Sequence, residues 1–436
     1  MVEKSMVELI VKGGASLYGS IRAPSSKAHT HRAIIASSLS RGESMIYSAL
    51  LCDDTMATIN ACRMLGADVE IIISDKCDIR VKGLPKPKTP ENVIDCGDSG
   101  STIRFITPVC ALTNGISVLT GGESLRRRPM GPLLDALSQL GVKCYSARGD
   151  GRPPIIVFGG GIRGGRAEIR GDVSSQFISG LLFATPMANN DTYINLLTPL
   201  ESKPYVDITL NILEKHGIEV IPFEDQFYVP CGQEYKSYSH VIEGDYSSAS
   251  FLLAAAAITR SSVMVENLLK DTLQGDRRII NILSDMGVMV NCGADYVEVK
   301  GVDGDLRPIS IDMRDNPDLV PVCTALACFA KGKTTINGIR RLRFKESDRA
   351  KALLSELGKM GALIRVLNDS LVIEGEGRLH GAIIDSHKDH RIIMACTIAA
   401  LGAEGETIIR DAEYISKSYP NFIRDMRLLG AEIIER

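Results

Sequence analysis

Apolar residues along the chain fall into two kinds of run that alternate. One kind is apolar nearly all round, as in Leu252-Leu253-Ala254-Ala255-Ala256-Ala257-Ile258, and predicts helices buried on every side. The other carries apolar residues on one helical face only, as in Leu133-Leu134-Asp135-Ala136-Leu137-Ser138-Gln139-Leu140, and predicts amphipathic helices. Each amphipathic run ends on glycine: Leu65-Gly66-Ala67, Leu140-Gly141-Val142, His216-Gly217-Ile218, Met286-Gly287-Val288, Met360-Gly361-Ala362 and Leu429-Gly430-Ala431. Glycine just past a helix supplies a left-handed cap, and the alternating run that follows, such as Ala67-Asp68-Val69-Glu70-Ile71, predicts a strand.

These glycines recur with a period of roughly 72 residues, the length of one supersecondary repeat. Polar or glycine-rich turns keep the same period and open the buried helices at Ser26-Lys27, Gly100-Ser101, Ser174-Ser175, Ser247-Ser248, Pro317-Asp318 and Asp389-His390. One repeat therefore reads strand, buried helix, strand, amphipathic helix, strand, and six copies account for almost the whole chain. The pattern predicts a layered α/β fold. A single βα barrel fits poorly, because each unit carries two helices of different character. Two domains of three repeats, with a boundary near Val241–Glu243 and a short hinge, is the simplest division, since no Pro/Gly/Ser run there is long enough for a flexible linker.

Composition narrows the function. Hydrophobic residues make up 44% and charged residues 24% of the 436, the balance of a folded soluble protein. No apolar run reaches membrane-spanning length, and Glu3, Lys4 and Glu8 interrupt any signal-peptide segment, so a cytoplasmic location with no membrane partner is expected. A net charge of −3, only 5% aromatics and no tryptophan argue against a nucleic-acid partner. Eleven scattered cysteines without a CxxC pair read as reduced core thiols.

The candidate chemistry lies where helices begin. Helix N-termini bind anions, and cations collect beside them here: Lys27 and Arg32, Gly100 with Arg104, Arg126-Arg127-Arg128, Lys203, Lys345 and Arg349, Arg391, and Lys417 ahead of Pro420. Cations at first turns oppose the helix dipole in an empty protein, and make sense around phosphates and carboxylates. Two carboxylates stand among them: Asp318 after Asn316-Pro317, readable as an N-cap or a proton-transfer group, and Glu346, readable as a salt-bridge partner or a proton-transfer group. Several other motifs fail. Gly332-Lys333-Thr334-Thr335 imitates a P-loop, but Ala327 stands where its first glycine belongs. Gly159-x-Gly161-x-x-Gly164 is followed by the strand-like Arg166-Ala167-Glu168-Ile169-Arg170 rather than a helix. His29-x-His31 and His387-x-x-His390 lack a third metal ligand, so no metal is expected and His390 reads as a structural or site-orienting residue.

Taken in order, ten segments resemble the 5-enolpyruvylshikimate-3-phosphate synthase family along essentially the full length. They are Pro24-Ser25-Ser26-Lys27 to Arg32, Asp98 to Arg104, Arg128-Pro129-Met130, Ser174-Ser175-Gln176-Phe177, Ser202-Lys203-Pro204-Tyr205-Val206-Asp207, Glu243-Gly244-Asp245, Asn316-Pro317-Asp318, Lys345-Glu346-Ser347-Asp348-Arg349, Asp389-His390-Arg391 and Lys417-Ser418-Tyr419-Pro420. The resemblance implies a two-domain, inside-out α/β barrel of six βαβαββ units. Residues 1–22 would join 243–436 in one domain, 23–242 would form the other, and the active site would lie in the cleft between them. It implies transfer of the enolpyruvyl group of phosphoenolpyruvate to the 5-hydroxyl of 3-phosphoshikimate with release of phosphate, in the shikimate pathway, without metal or organic cofactor, by a monomer. Lys27 would touch both substrates. Arg32, Ser174, Ser175, Ser202, Asp318 and Lys345 would meet 3-phosphoshikimate, the three serines holding its phosphate. Gly100, Arg128, Arg349, Arg391 and Lys417 would meet phosphoenolpyruvate, and Gln176 would meet both. Asp318 would be the base at the 5-hydroxyl and Glu346 the acid delivering the methyl proton, and Gly100 would permit inhibition by glyphosate.

Two departures bear on shikimate binding. Ala28 stands where the family usually has serine, and His31 where asparagine is common. Related readings fit less well. A UDP-N-acetylglucosamine enolpyruvyl transferase characteristically has a cysteine in the loop before its Arg-Pro, and Gly121 to Arg128 contains none. An RNA 3′-phosphate cyclase would need a nucleotide motif, and a non-catalytic anion-binding module would not need Asp318 and Glu346.

Overall fold

The computed structural model describes residues 6–74, 76–301 and 304–436. Twelve α-helices are formed there: α1 (Lys27–Leu39), α2 (Asp53–Met64), α3 (Gly100–Cys110), α4 (Gly131–Gln139), α5 (Ser175–Ala184), α6 (Lys203–Lys215), α7 (Tyr246–Ile258), α8 (Ile279–Asp285), α9 (Val320–Phe329), α10 (Arg349–Lys359), α11 (His390–Gly402) and α12 (Phe422–Leu428). The odd-numbered helices are buried almost throughout; α7 is buried along its whole length. The even-numbered ones bury a single face, as α10 does with Ala350, Leu353 and Leu357.

Every even-numbered helix ends the same way. Gly66, Gly141, Gly217, Gly287, Gly361 and Gly430 all have φ between +74° and +107°, a region open to glycine at no steric cost. The next residue's N–H then reaches back to a carbonyl of the last turn, as Ala67 N–H does to Cys62 O and Ala362 N–H to Leu357 O. This closure satisfies carbonyls the helix leaves unpaired and aims the chain into the following strand.

The described strands make six four-stranded sheets of one pattern. In each, a parallel pair is extended by two antiparallel strands. Strand His240–Val241 runs parallel to Gly42–Tyr47, which pairs antiparallel with Cys77–Gly83, and that in turn with Asp68–Ile73. Two antiparallel strands thus close each repeat, where the hydrophobic pattern predicts one.

The chain divides into two units, Met1–Pro24 with Gly244–Arg436, and Ser25–Glu243. In the first unit, Leu9–Lys12 lies between strands Glu406–Ile409 and Ile433–Glu435, and Tyr18–Arg22 pairs in parallel with Ser262–Glu266. The N-terminal segment is therefore held by C-terminal strands through main-chain bonds. Helices α7, α9 and α11 pack on one another in this unit. In the other unit, α3 and α5 are in the tightest helix contact. A Cβ at Gly180 would stand 2.3 Å from the carbonyl oxygen of Arg104, so only glycine permits that approach.

Among the described residues no helix is long and apolar enough to cross a membrane. All eleven cysteines are free thiols, eight of them buried, and burial pushes the Cys62 thiol up to about 12.

Candidate active site

Five of the six buried helices have side-chain N-caps. Ser26, Ser99, Ser174, Asp245 and Asp389 accept from the N–H of His29, Thr102, Gln176, Ser248 and Arg391. Asp245, rather than Ser247, thus opens α7. Helix α9 is preceded by a 3-10 turn, Pro317–Leu319, whose N-cap position is Asn316, and Asp318 lies inside that turn.

The expected placement of cations at helix starts holds only in part. Arg128 and Lys345 directly follow the 3-10 turns Leu125–Arg127 and Arg340–Phe344, and Lys417 ends the turn Ala412–Lys417. A cation at the C-terminal end of a turn is favoured by the local dipole. Lys27, Lys203, Lys345, Arg349, Arg391 and Lys417 also meet carboxylates of the protein itself, which offset their charge.

In the unit Met1–Pro24 with Gly244–Arg436, one arginine organises the site. Arg349, 1% exposed, opens α10 and reaches three carboxylates: Nη1 to Asp318 Oδ1 at 2.9 Å, Nη2 to Glu346 Oε2 at 2.6 Å, and Nε to Asp389 Oδ2 at 2.9 Å. Asp318 also meets Lys345 Nζ at 3.1 Å and Arg391 Nη2 at 3.3 Å, and its carbonyl oxygen accepts from Arg391 Nη1. Burial alone would raise the Asp318 carboxyl, but Arg391, Lys345 and Arg349 hold it well below the usual carboxylate range. Burial brings the Lys345 ammonium down to about 8, against the pull of Asp318. Glu346 Oε1 lies 3.5 Å from Lys417 Nζ. His390, the first residue of α11, is fully buried, with Nδ1 3.7 Å from Asp389 Oδ1.

In the unit Ser25–Glu243 the predicted residues form a second group. Lys27 Nζ is 2.9 Å from Asp54 Oδ2, a carboxylate in the first turn of α2. Arg32 is buried and turned inward: Nε donates to Thr209 Oγ1, Nη1 and Nη2 donate to the carbonyls of Ala28 and Tyr205, and the guanidinium stacks 5.0 Å from the Phe105 ring centroid. Its surroundings are those of a residue joining α1 to α3 and α6. Gln176 Oε1 accepts from Arg104 Nη1, and its Nε2 donates to Ser101 Oγ. Gly100 is the first residue of α3, and a Cβ there would come within 2.8 Å of Arg128 Nη1. Ser174 caps α5, Ser175 follows it buried, and Ser202 precedes α6 at φ +58°. His31 Nδ1 bonds Thr58 Oγ1 at 2.7 Å, and Thr58 bonds Thr102 at 2.7 Å, so this departure from the common asparagine joins α1, α2 and α3.

The rejected motifs are accounted for by their backbone. Gly332 to Thr335 lies inside the strand Lys331–Asn337, and Gly159 to Gly164 links two strands without a helix. Among the described residues no group of three or more His, Cys, Asp or Glu could hold a metal ion.

Sequence reasoning missed Asp54 and Asp276. Asp276 is buried, accepts from Asn316 Nδ2 at 3.3 Å, and is raised to about 6 by burial and by the neighbouring charge of Asp318. Both are acidic residues at the first turn of a helix, where an unremarkable dipole partner would also sit.

The EPSP synthase (3-phosphoshikimate 1-carboxyvinyltransferase) family model matches residues 11–426. The chain belongs to this family. It is 46% identical to the 3-phosphoshikimate 1-carboxyvinyltransferase of Methanocaldococcus jannaschii over 98% of this chain and 99% of that one. It is likewise 46% identical to the same-named protein of Methanococcoides burtonii, with the same coverage. Among solved structures it is similar to the EPSP synthase of Acinetobacter baumannii, with a TM-score of 0.82, 26% identity, and 99% and 100% of the two chains covered. The enolpyruvyl transferase NikO of Streptomyces tendae, 18% identical at a TM-score of 0.81 over 99% of both chains, shares the fold.

Proposed function

We propose that this enzyme transfers the enolpyruvyl group of phosphoenolpyruvate to 3-phosphoshikimate. The observation that carries this reading is the pair of carboxylates, Asp318 and Glu346, bridged by Arg349 among Lys345, Arg391 and Lys417. That arrangement offers two proton-transfer groups next to enough positive charge for anionic substrates. Full-length relatives bearing the corresponding name support the same reading.

In the proposed mechanism Asp318 takes the proton of the 5-hydroxyl as its oxygen joins carbon 2 of phosphoenolpyruvate, and Glu346 delivers a proton to carbon 3. Glu346, left as a carboxylate, then takes a proton back from carbon 3 as phosphate leaves, which restores the enol ether. In the substrate-free protein, three cations make Asp318 a weak base. Phosphate and carboxylate groups arriving at Arg391 and Lys345 offset that field and return basicity to Asp318 as the reaction needs it. Lys27 contacts both substrates; Arg32, Ser174, Ser175, Gln176, Ser202 and Lys345 receive 3-phosphoshikimate; Gly100, Arg128, Gln176, Arg349, Arg391 and Lys417 receive phosphoenolpyruvate. Arg32 bonds Thr209 and the carbonyls of Ala28 and Tyr205 through three of its five N–H groups. The architecture is read as the six-unit inside-out barrel, with the two units as its two domains.

Phosphate release tests this function. Release from phosphoenolpyruvate is expected only when 3-phosphoshikimate is supplied. Release with UDP-N-acetylglucosamine in its place would overturn the assignment.

A further inference from the structure

A buried carboxylate on α10 has no part in the chemistry above. Glu356, 1% exposed, lies two turns beyond Arg349. Its Oε2 accepts from Lys359 Nζ at 2.5 Å and from the main-chain N–H of Asp385 at 2.8 Å. Its Oε1 accepts from Ser355 Oγ at 2.9 Å and lies 3.0 Å from His387 Nε2. Lys359 and Ser355 belong to the same helix; Asp385 and His387 do not. They lie in the turn that leads from strand Ile383–Ile384 to the N-terminus of α11.

That turn is unusual. His387 and Lys388 are consecutive non-glycine residues in the left-handed region, at φ +51° and +54°, which side chains with a Cβ adopt only where surrounding contacts enforce it. Local bonds assist, from His387 N–H to Asp385 Oδ1, Lys388 N–H to Ser386 Oγ and Asp389 N–H to Ser386 O. The contact from outside is Glu356, which grips the first residue of the turn by its backbone and the third by its ring. The residues that follow immediately are Asp389, His390 and Arg391.

We propose that Glu356 is a positioning residue, holding the Asp385–Lys388 turn in the backbone conformation that presents Asp389 to Arg349 and Arg391 to the phosphoenolpyruvate group. The second half of this statement rests on the functional reading above. The first half stands on geometry alone. One helix thereby sets both sides of the arginine–aspartate contact, Arg349 from its first turn and Asp389 through its third.

The test is Glu356→Gln, which keeps size but places an amide N–H against one of the donors. With wild-type turnover established, KM for phosphoenolpyruvate is expected to rise roughly tenfold while KM for 3-phosphoshikimate stays within about twofold. Exchange of the Lys388 and Asp389 amide hydrogens should quicken by a similar factor. Adding Lys388→Gly, which tolerates positive φ freely, should recover much of the loss. His387→Ala serves as the milder second variant if Glu356→Gln does not fold. A phosphoenolpyruvate KM and amide exchange unchanged in the folded variants, or both KM values rising together, would overturn the proposal. A wild-type enzyme inactive with both substrates would instead sink the functional reading, leaving amide exchange to decide whether Glu356 holds the turn.

Discussion

Asp318 has three cations at hydrogen-bonding or ion-pair distance, and this decides what it does at each stage. Ionised throughout the working pH range, it cancels charge that would otherwise be unpaired in a buried site, where an isolated cation is costly. As a base it depends on substrate anions to take those cations away. Asp318→Asn keeps the shape and removes the proton acceptor, so kcat is expected to fall by about 10²–10⁴-fold while affinity for 3-phosphoshikimate changes far less. Rapid-quench turnover together with calorimetric binding separates the two, and equal losses would remove Asp318 from the proton-transfer role. At this scale sequence and structure diverge most. Lys27, Lys345, Glu346 and Arg349 are legible as a charged set because they stand beside one another or at helix openings. Their partners Asp54 and Asp389 are 27 and 40 residues away, and nothing in local spacing marks them as partners.

Among the elements, two glycines on adjoining helices show how one residue type serves opposite ends. Gly100 opens α3, and its missing Cβ leaves room for the movable tip of Arg128. Gly180 lies within α5 against the rigid backbone of α3. Gly100→Ala is therefore expected to leave thermal stability unchanged or slightly raised, since alanine is the better helix former, while displacing Arg128, raising KM for phosphoenolpyruvate and weakening inhibition by glyphosate. Gly180→Ala is expected to cost about 1–3 kcal/mol of stability through overpacking. Chemical denaturation beside steady-state kinetics distinguishes them, and a matched loss in both variants would refute the contrast. The resemblance already singles out Gly100, whereas in the sequence Gly180 is simply a glycine in a helical run. The six terminal glycines are different: their position after an amphipathic run already requires positive φ, and the structure has it at all six.

Across the whole molecule, buried histidines set the response to acid. Burial lowers His29, His31 and His240 to about 3 and His216 to about 4; the nearest charges add smaller effects of either sign. In the unfolded chain such groups titrate near 6.5, so between roughly pH 6.5 and 4 the unfolded state binds protons that the folded state refuses. Stability is then fully present above about pH 6.5 and is lost as pH falls, by about 1.4 kcal/mol per pH unit for each histidine. Asp276, held up to about 6, opposes this by one proton. Urea unfolding across that range should show the decline, and His31→Asn should make it shallower by about one proton; parallel curves for the two proteins would refute the account. What the sequence by itself determined has a short period: buried against amphipathic helices, their glycine stops, and motifs whose order reveals the family. These follow from steric and solvation preferences acting over a few residues. Tertiary structure alone decided which strand closes which sheet, that residues 9–12 and 18–22 pair with strands more than 200 residues away, and which carboxylate answers which cation. Such pairings join positions distant along the chain, and only the packing of whole elements brings them within reach of a hydrogen bond.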